Sequence, residues 1–220
     1  MFFETLFRDP VYFFRLVAIL IISIVIHELA HGIAALSQGD DTPHTAGHMT
    51  INPVVHMGYE SLIFLCVAGI AWGAMPVNPR NFRHPRWSDI LVSAAGPLSN
   101  LVLGSLCIVA IIATRQNSVS SVSSVSMVSQ VMSQEFLYLA ARINMMLFLF
   151  NLLPIPPLDG FNVCEKLFPA LKLDRFRNGP LALFFMMALF VLPITGMALS
   201  GGSRFMMSTV TRLVGPWFRP

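Results

Sequence analysis

The chain has 220 residues, 55% of them hydrophobic and 11% charged, with a mean hydropathy of +0.69. A soluble domain carries about 25% charged residues, so this composition excludes an ordinary soluble protein and points to a chain lying almost wholly in a lipid bilayer. The formal net charge of +3 is too small for a nucleic-acid partner and leaves the basic residues to set orientation instead.

The first element is residues 11–36, VYFFRLVAILIISIVIHELAHGIAAL, a run of membrane-crossing length. It is too long for a cleaved signal, and cleavage would discard the polar motif within it. That motif is His27-Glu28-Leu29-Ala30-His31. Ionisable side chains are costly at that depth and so mark a functional site. Positions i and i+4 share a helix face, so both imidazoles reach one metal ion, conventionally zinc. Glu28 projects about 100° from His27, near enough to exchange protons with a water without being a ligand.

Residues 39–58, GDDTPHTAGHMTINPVVHMG, read as a polar, turn-rich loop. Its His44 and His48, with Asp40 and Asp41, fit no standard metal spacing and read as solvent-facing groups. His56 is the candidate for an auxiliary role, as a labile extra ligand or a water-handling group. Residues 62–75 are apolar but fall short of the about 20 needed to cross. Arg80, Arg83, His84 and Arg86 follow as topological anchors.

A second run of crossing length occupies residues 90–114. Residues 118–133 place a valine at nearly every third position among serines, a period that gives no steady helix face, and are expected to form a connecting loop. Residues 136–153 cross again and run into prolines, and residues 181–199 supply a further span that Pro193 and Gly196 should kink. Cys66, Cys107 and Cys164 lie apart in apolar segments and read as packing residues.

The proline break carries chemistry of its own. Asn151-Leu-Leu-Pro154-Ile-Pro156-Pro157-Leu-Asp159-Gly160 sets an aspartate at the end of an apolar helix. Asp159 completes a set of two histidines and one carboxylate that leaves a fourth zinc position for water. Its negative charge offsets part of the metal's charge in a low-dielectric site. The same residue is placed to cap a helix over residues 161–171. The prolines free backbone groups that need partners, and Asn151 is placed to donate to them or to a bound peptide.

These motifs together resemble the site-2 protease family of intramembrane metalloproteases. That family pairs H-E-x-x-H on one membrane helix with N-x-x-P-x-P-x-L-D-G on a later one, and residues 27–31 and 151–160 match without a gap. Ala95-Gly96-Pro97-Leu98-Ser99-Asn100 resembles the family's A-G-P-x-x-N stretch, and residues 75–87 resemble the loop before it in short bacterial members. In the loop motif Asn52-Pro53-x-x-His56, Gly58 stands where those members commonly have an acidic residue. The likeness covers most of residues 16–170. It implies hydrolysis of peptide bonds within or near transmembrane helices of membrane-protein substrates. One zinc ion would sit on His27, His31 and Asp159, with Glu28 as acid and base and Asn151 as a substrate or oxyanion contact.

The expected architecture is an all-α polytopic membrane protein with about four transmembrane helices, a re-entrant segment, and a small membrane-associated loop or β-hairpin region. Residues 1–220 form a single membrane-embedded metalloprotease domain, whose partners are the lipid bilayer and a transmembrane protein substrate. The basic loops at residues 80–86 and 172–177 belong on the cytoplasmic side. Bringing the three metal ligands to one depth then requires residues 62–75 to dip into the membrane and return. The active site accordingly faces the cytoplasmic side of a bacterial inner membrane. An extended edge near residues 68–76 is expected to hold an unwound substrate as an added strand. The competing class is a zinc-binding membrane protein without catalysis, either a transporter or a degenerate regulatory homologue. Neither motif has a second copy, as transporters built from repeats would show, and Glu28 is retained.

Overall fold

The computed structural model describes residues 2–117, 124–171 and 193–215. The basic loop expected at 172–177, most of the span expected at 181–199, and the start of the loop expected at 118–133 lie outside the described residues.

A short helix α1 (Glu4–Arg8) leads into α2 (Pro10–Ser37). Asp9 accepts a hydrogen bond from the Tyr12 amide at 3.0 Å and Pro10 occupies the first helical turn, a strong local start signal. Beyond the first loop lie α3 (Thr42–Thr45) and α4 (Pro53–Ala68), and then α5 (Pro85–Asn117). The chain continues with α6 (Ser124–Asn151), α7 (Asp159–Leu167) and α8 (Pro193–Val214). Among the described residues there is no strand.

Among the described residues two helices, α2 and α5, are long and apolar enough to cross a membrane. Ile22, Ile33, Leu98, Val102 and Leu106 on their outer faces are each more than half exposed, an apolar surface that a soluble monomer rarely leaves to water. Of the about four expected spans, these two are present by length and composition. Of the span expected at 136–153, residues 136–151 form the end of α6, which carries Arg142, Asn144 and Asn151 and is not counted with them.

The serine–valine stretch departs from expectation: from Ser124 onward it is the first part of α6 rather than a loop. Serine and valine each cost only a few tenths of a kcal/mol in a helix. With no glycine or proline to stop it, the helix propagates backward from the apolar segment. α6 packs through alanines paired with larger residues, with Ala140 and Ile143 against Ile19 of α2, and Ala141 and Met145 against Ile108 of α5 and Met207 of α8. The alanines let helix backbones approach closely.

Between α2 and α5 the chain goes out and comes back. Asn52 caps α4 by accepting from the Val54 amide, and Gly69 ends it in the left-handed conformation (φ +73°) that glycine adopts without strain. Residues 70–78 then run extended along α4: the Trp72 amide donates to Ser61 Oγ (2.9 Å), Ser61 Oγ donates to the Trp72 carbonyl (2.7 Å), and the Ala74 amide donates to the His56 carbonyl (2.9 Å). The apolar stretch read as re-entrant therefore folds back on itself. The expected hairpin does not form, because the outgoing arm is a helix whose backbone groups are largely spent internally. Only a serine side chain and the His56 carbonyl, beside the non-helical Gly58, are left for the return.

Asp40 closes this excursion. Fully buried, it accepts from the Thr42 amide and hydroxyl, from the Asn78 amide at 2.7 Å and from the Asn81 side chain at 2.9 Å. It binds loops, where the sequence had grouped it with the solvent-facing residues. Burial pushes its carboxyl up, yet the hydrogen bonds outweigh burial and hold the group below the usual carboxylate range. Its stabilising effect is therefore complete above the unfolded pKa of about 4 and is lost as pH falls through the lower folded value. Asp40→Ala is expected to cost about 3 kcal/mol at neutral pH. Asp40→Asn should flatten the acid side of the melting-temperature profile in detergent. An unaltered acid limb in Asp40→Asn would remove Asp40 from this role.

Candidate metal centre

The polar point of α2 faces α5 and the start of α7. His27, Glu28 and His31 are each more than nine-tenths buried. His27 Nε2 lies 3.0 Å from His31 Nε2, and Asp159 Oδ2 lies 3.1 Å from the first and 3.4 Å from the second. Among the described residues this is the one group of three or more histidine, cysteine or acidic side chains able to hold a metal ion. His44 pairs loosely with Asp41 at 3.8 Å, His48 Nδ1 donates to the Ala46 carbonyl, and the His48 ring stands edge-on to His56 with centroids 6.2 Å apart, but no third ligand joins them among the described residues.

The hydrogen bonds around the two histidines fix which ring nitrogen carries the proton. His31 Nδ1 donates to the Val92 carbonyl at 2.7 Å. His27 Nδ1 lies 2.7 Å from Asn100 Oδ1. The Asn144 amide nitrogen donates to the Ala140 carbonyl, an acceptor only, so its oxygen accepts from Asn100 Nδ2. Asn100 Oδ1 is thereby turned toward His27, which must donate. Both Nδ1 atoms carry hydrogen, and both Nε2 lone pairs converge on a carboxylate oxygen. With both Nε2 atoms unprotonated, three electron pairs face one another, an arrangement that a metal ion between them satisfies.

The dimensions fit zinc. Tetrahedral nitrogen and oxygen donors at about 2.0–2.1 Å from the ion lie about 3.3–3.4 Å from one another, and the triangle here has edges of 3.0–3.4 Å. Asp159 does not act as a helix cap. Leu158 holds the cap position without a side-chain bond, and the Asp159 carboxylate turns to the imidazoles instead.

Main chain walls the centre on two sides. A Cβ on Gly96 of α5 would crowd His31 Nε2 and stand 2.6 Å from His27 Cε1 and Nε2. A Cβ on Gly73 of the returning segment would stand 2.6 Å from Glu28 Oε1. Asn151 is partly buried at the end of α6 and donates from its amide to the Leu147 carbonyl at 3.0 Å. His56 is buried, donates from Nε2 to the Thr50 carbonyl at 2.6 Å, and has an Nδ1 with no partner among the described residues.

Sequence reasoning passed over Asn144 and the Val92 carbonyl. A buried asparagine in an apolar run is itself a signal of use, whereas a backbone carbonyl has no residue signature. Removing the acceptor that orients His27, as in Asn100→Ala, is expected to weaken metal affinity about 10–100-fold, measured by chelator competition. Wild-type affinity in that variant would show that packing alone sets the ring.

Comparison with known proteins gives a consistent result. Residues 15–193 match the sequence pattern of peptidase family M50. YwhC of Bacillus subtilis (strain 168), named a candidate zinc metalloprotease, is 39% identical over 155 residues, covering 70% of this chain and 69% of that one. Rip2 of Mycobacterium tuberculosis (strain H37Rv), named likewise, is 28% identical over 188 residues, covering 82% of this chain and 68% of its own. No solved structure matches significantly.

Proposed function

Since this chain belongs to peptidase family M50, the site-2 protease family, we propose that it is an intramembrane zinc endopeptidase that cuts peptide bonds within or beside the membrane-spanning helices of other proteins. The observation that carries this reading is the convergence of His27, His31 and Asp159 at the buried polar point of an apolar helix, with Glu28 next to the first of them.

His27, His31 and Asp159 hold one ion in this reading. When bound, zinc supplies Lewis-acid polarisation of the peptide carbonyl and a water that ionises near neutrality. Glu28 takes the proton from the attacking water and afterwards hands it to the leaving amine. Asn100 and the Val92 carbonyl keep both Nε2 atoms aimed inward. Asn151, with a second N–H beyond the one given to Leu147, is assigned in this reading to the oxygen on which charge develops. His56 Nδ1 is an acceptor available to a water.

A helical substrate hides its carbonyls in its own hydrogen bonds and must unwind before attack. Residues 70–78 present an extended edge beside Glu28. Trp72 and Ala74 spend amides on α4, and in an extended segment the groups of the residues between them would face the other way. An unwound segment can add there as a strand. The site is assigned to the cytoplasmic side of a bacterial inner membrane, in keeping with the basic residues at 80–86.

The test uses purified protein in vesicles with a membrane-spanning reporter. Cleavage is expected to stop with a zinc chelator, return with zinc, and leave fragments whose masses place the cut in or beside the apolar segment. Cuts confined to soluble loops would overturn the intramembrane reading.

A further inference from the structure

The third donor arrives on a helix that cannot hold itself in place. α7 has nine residues, and isolated helices shorter than about 12 residues are marginal in water. It follows a proline-rich break and has no side-chain cap at its start. Asp159 is its first residue, so the carboxylate goes wherever α7 is docked.

The far end of α7 is gripped by α5. Arg86 Nε donates to the Lys166 carbonyl at 2.9 Å and Arg86 Nη2 to the Leu167 carbonyl at 3.2 Å. Lys166 Nζ meets Asp89 Oδ2 at 3.0 Å. The last carbonyls of a helix lack partners within it and carry partial negative charge, so a guanidinium there satisfies both hydrogen bonding and the dipole. Arg86, read from the sequence as a topological anchor, thus has a specific structural partner.

The same face of α5 serves all three donors. At 100° per residue, positions 86, 89, 92, 96 and 100 fall within a stripe about 120° wide. Arg86 and Asp89 hold α7, the Val92 carbonyl holds His31, Gly96 abuts both imidazoles, and Asn100 holds His27. The lengths agree as well: Asp159 to Leu167 rises about 12 Å and Arg86 to Gly96 about 15 Å. α7 therefore lies antiparallel along the stripe, with its grip one helix length from the carboxylate.

We propose that Arg86, seconded by the Asp89–Lys166 pair, is a positioning residue for the metal site that acts through α7 on Asp159. The proposal rests on the zinc reading above. A displacement of α7 at its gripped end carries the carboxylate away from the imidazoles without touching either histidine.

The test measures zinc affinity by chelator competition and the visible spectrum of the cobalt(II)-substituted protein, in the full-length wild type and its variants. Arg86→Gln is expected to weaken zinc about tenfold or more and to shift the cobalt bands toward those of Asp159→Ala. In an Asp159→Ala background, Arg86→Gln should cost nothing further, because its route to the metal is gone. Equal losses in both backgrounds, or no loss in either, would overturn the proposal. Should Arg86→Gln fail to fold, the charge pair decides: Lys166→Asp is expected to weaken zinc, and Asp89→Lys with Lys166→Asp to restore it. Failure of that restoration also overturns the proposal. A wild-type protein that binds no zinc would instead sink the metal-site reading itself.

Discussion

Glu28→Gln is expected to lower peptide hydrolysis by about 10²–10⁴-fold while leaving zinc content at the wild-type level. The substitution keeps the size of the side chain and removes its basicity. Glu28 is not one of the three donors that meet, so the metal should stay. The Gly73 backbone lies against its carboxylate, and an amide of the same shape fits there without moving the returning segment. Zinc content by emission spectroscopy and cleavage of a membrane-spanning reporter together decide the matter. Undiminished cleavage would exclude Glu28 as the proton carrier. A wild type that binds zinc yet cuts no reporter would favour a binding protein without catalysis.

Gly96→Ala should be nearly as damaging although it removes nothing. The added methyl would need the space of His27 Cε1 and Nε2, 2.6 Å away, and of His31 Nε2. Either α5 backs off or the imidazoles swing out. Overpacking of this kind costs about 1–3 kcal/mol in stability. The larger effect is on the metal, because the donors no longer converge within about 2 Å of one point. Zinc should be lost on dialysis while the helical circular dichroism persists. Tightly held zinc at full stoichiometry in Gly96→Ala would mean that α5 is farther from the centre than the structure places it.

Much of this was legible in the chain because its signals are local. Asp9-Pro10 marks the head of the first apolar run as a helix start, and its cap forms, whereas Asn52-Pro53 starts α4 inside the stretch read as a loop. The histidine pair declares itself by being unaffordable in an apolar helix, and Asp159 by ending another one. The direction taken after residue 68 was less accessible. Hydropathy sees only that the segment is short, whereas its course is set by Ser61, His56 and Asp40 meeting residues up to 41 positions away. Asn144 and Arg86 fall in the same class. Each has an ordinary local explanation, as a polar residue in a helix or a basic anchor, and its partner lies 44 or 80 residues off. The serine–valine run misled for the opposite reason: its pattern lacks a buried face, but nothing in it stops a helix already under way.

The fold-back between α2 and α5 fixes a parity. The end of α2 and the start of α5 are stitched together by Arg83 N to the Gln38 carbonyl and by Ser88 Oγ to Gln38 Oε1, while Asp40 ties Asn78 and Asn81 to the same end. Whatever enters the bilayer between them leaves by the door it came in. If α2 and α5 both cross a bilayer, the excursion counts as zero crossings and α5 runs opposite to α2. Lengthening or trimming residues 41–77 would then reshape the floor of the site and leave the relative direction of the two helices as it is.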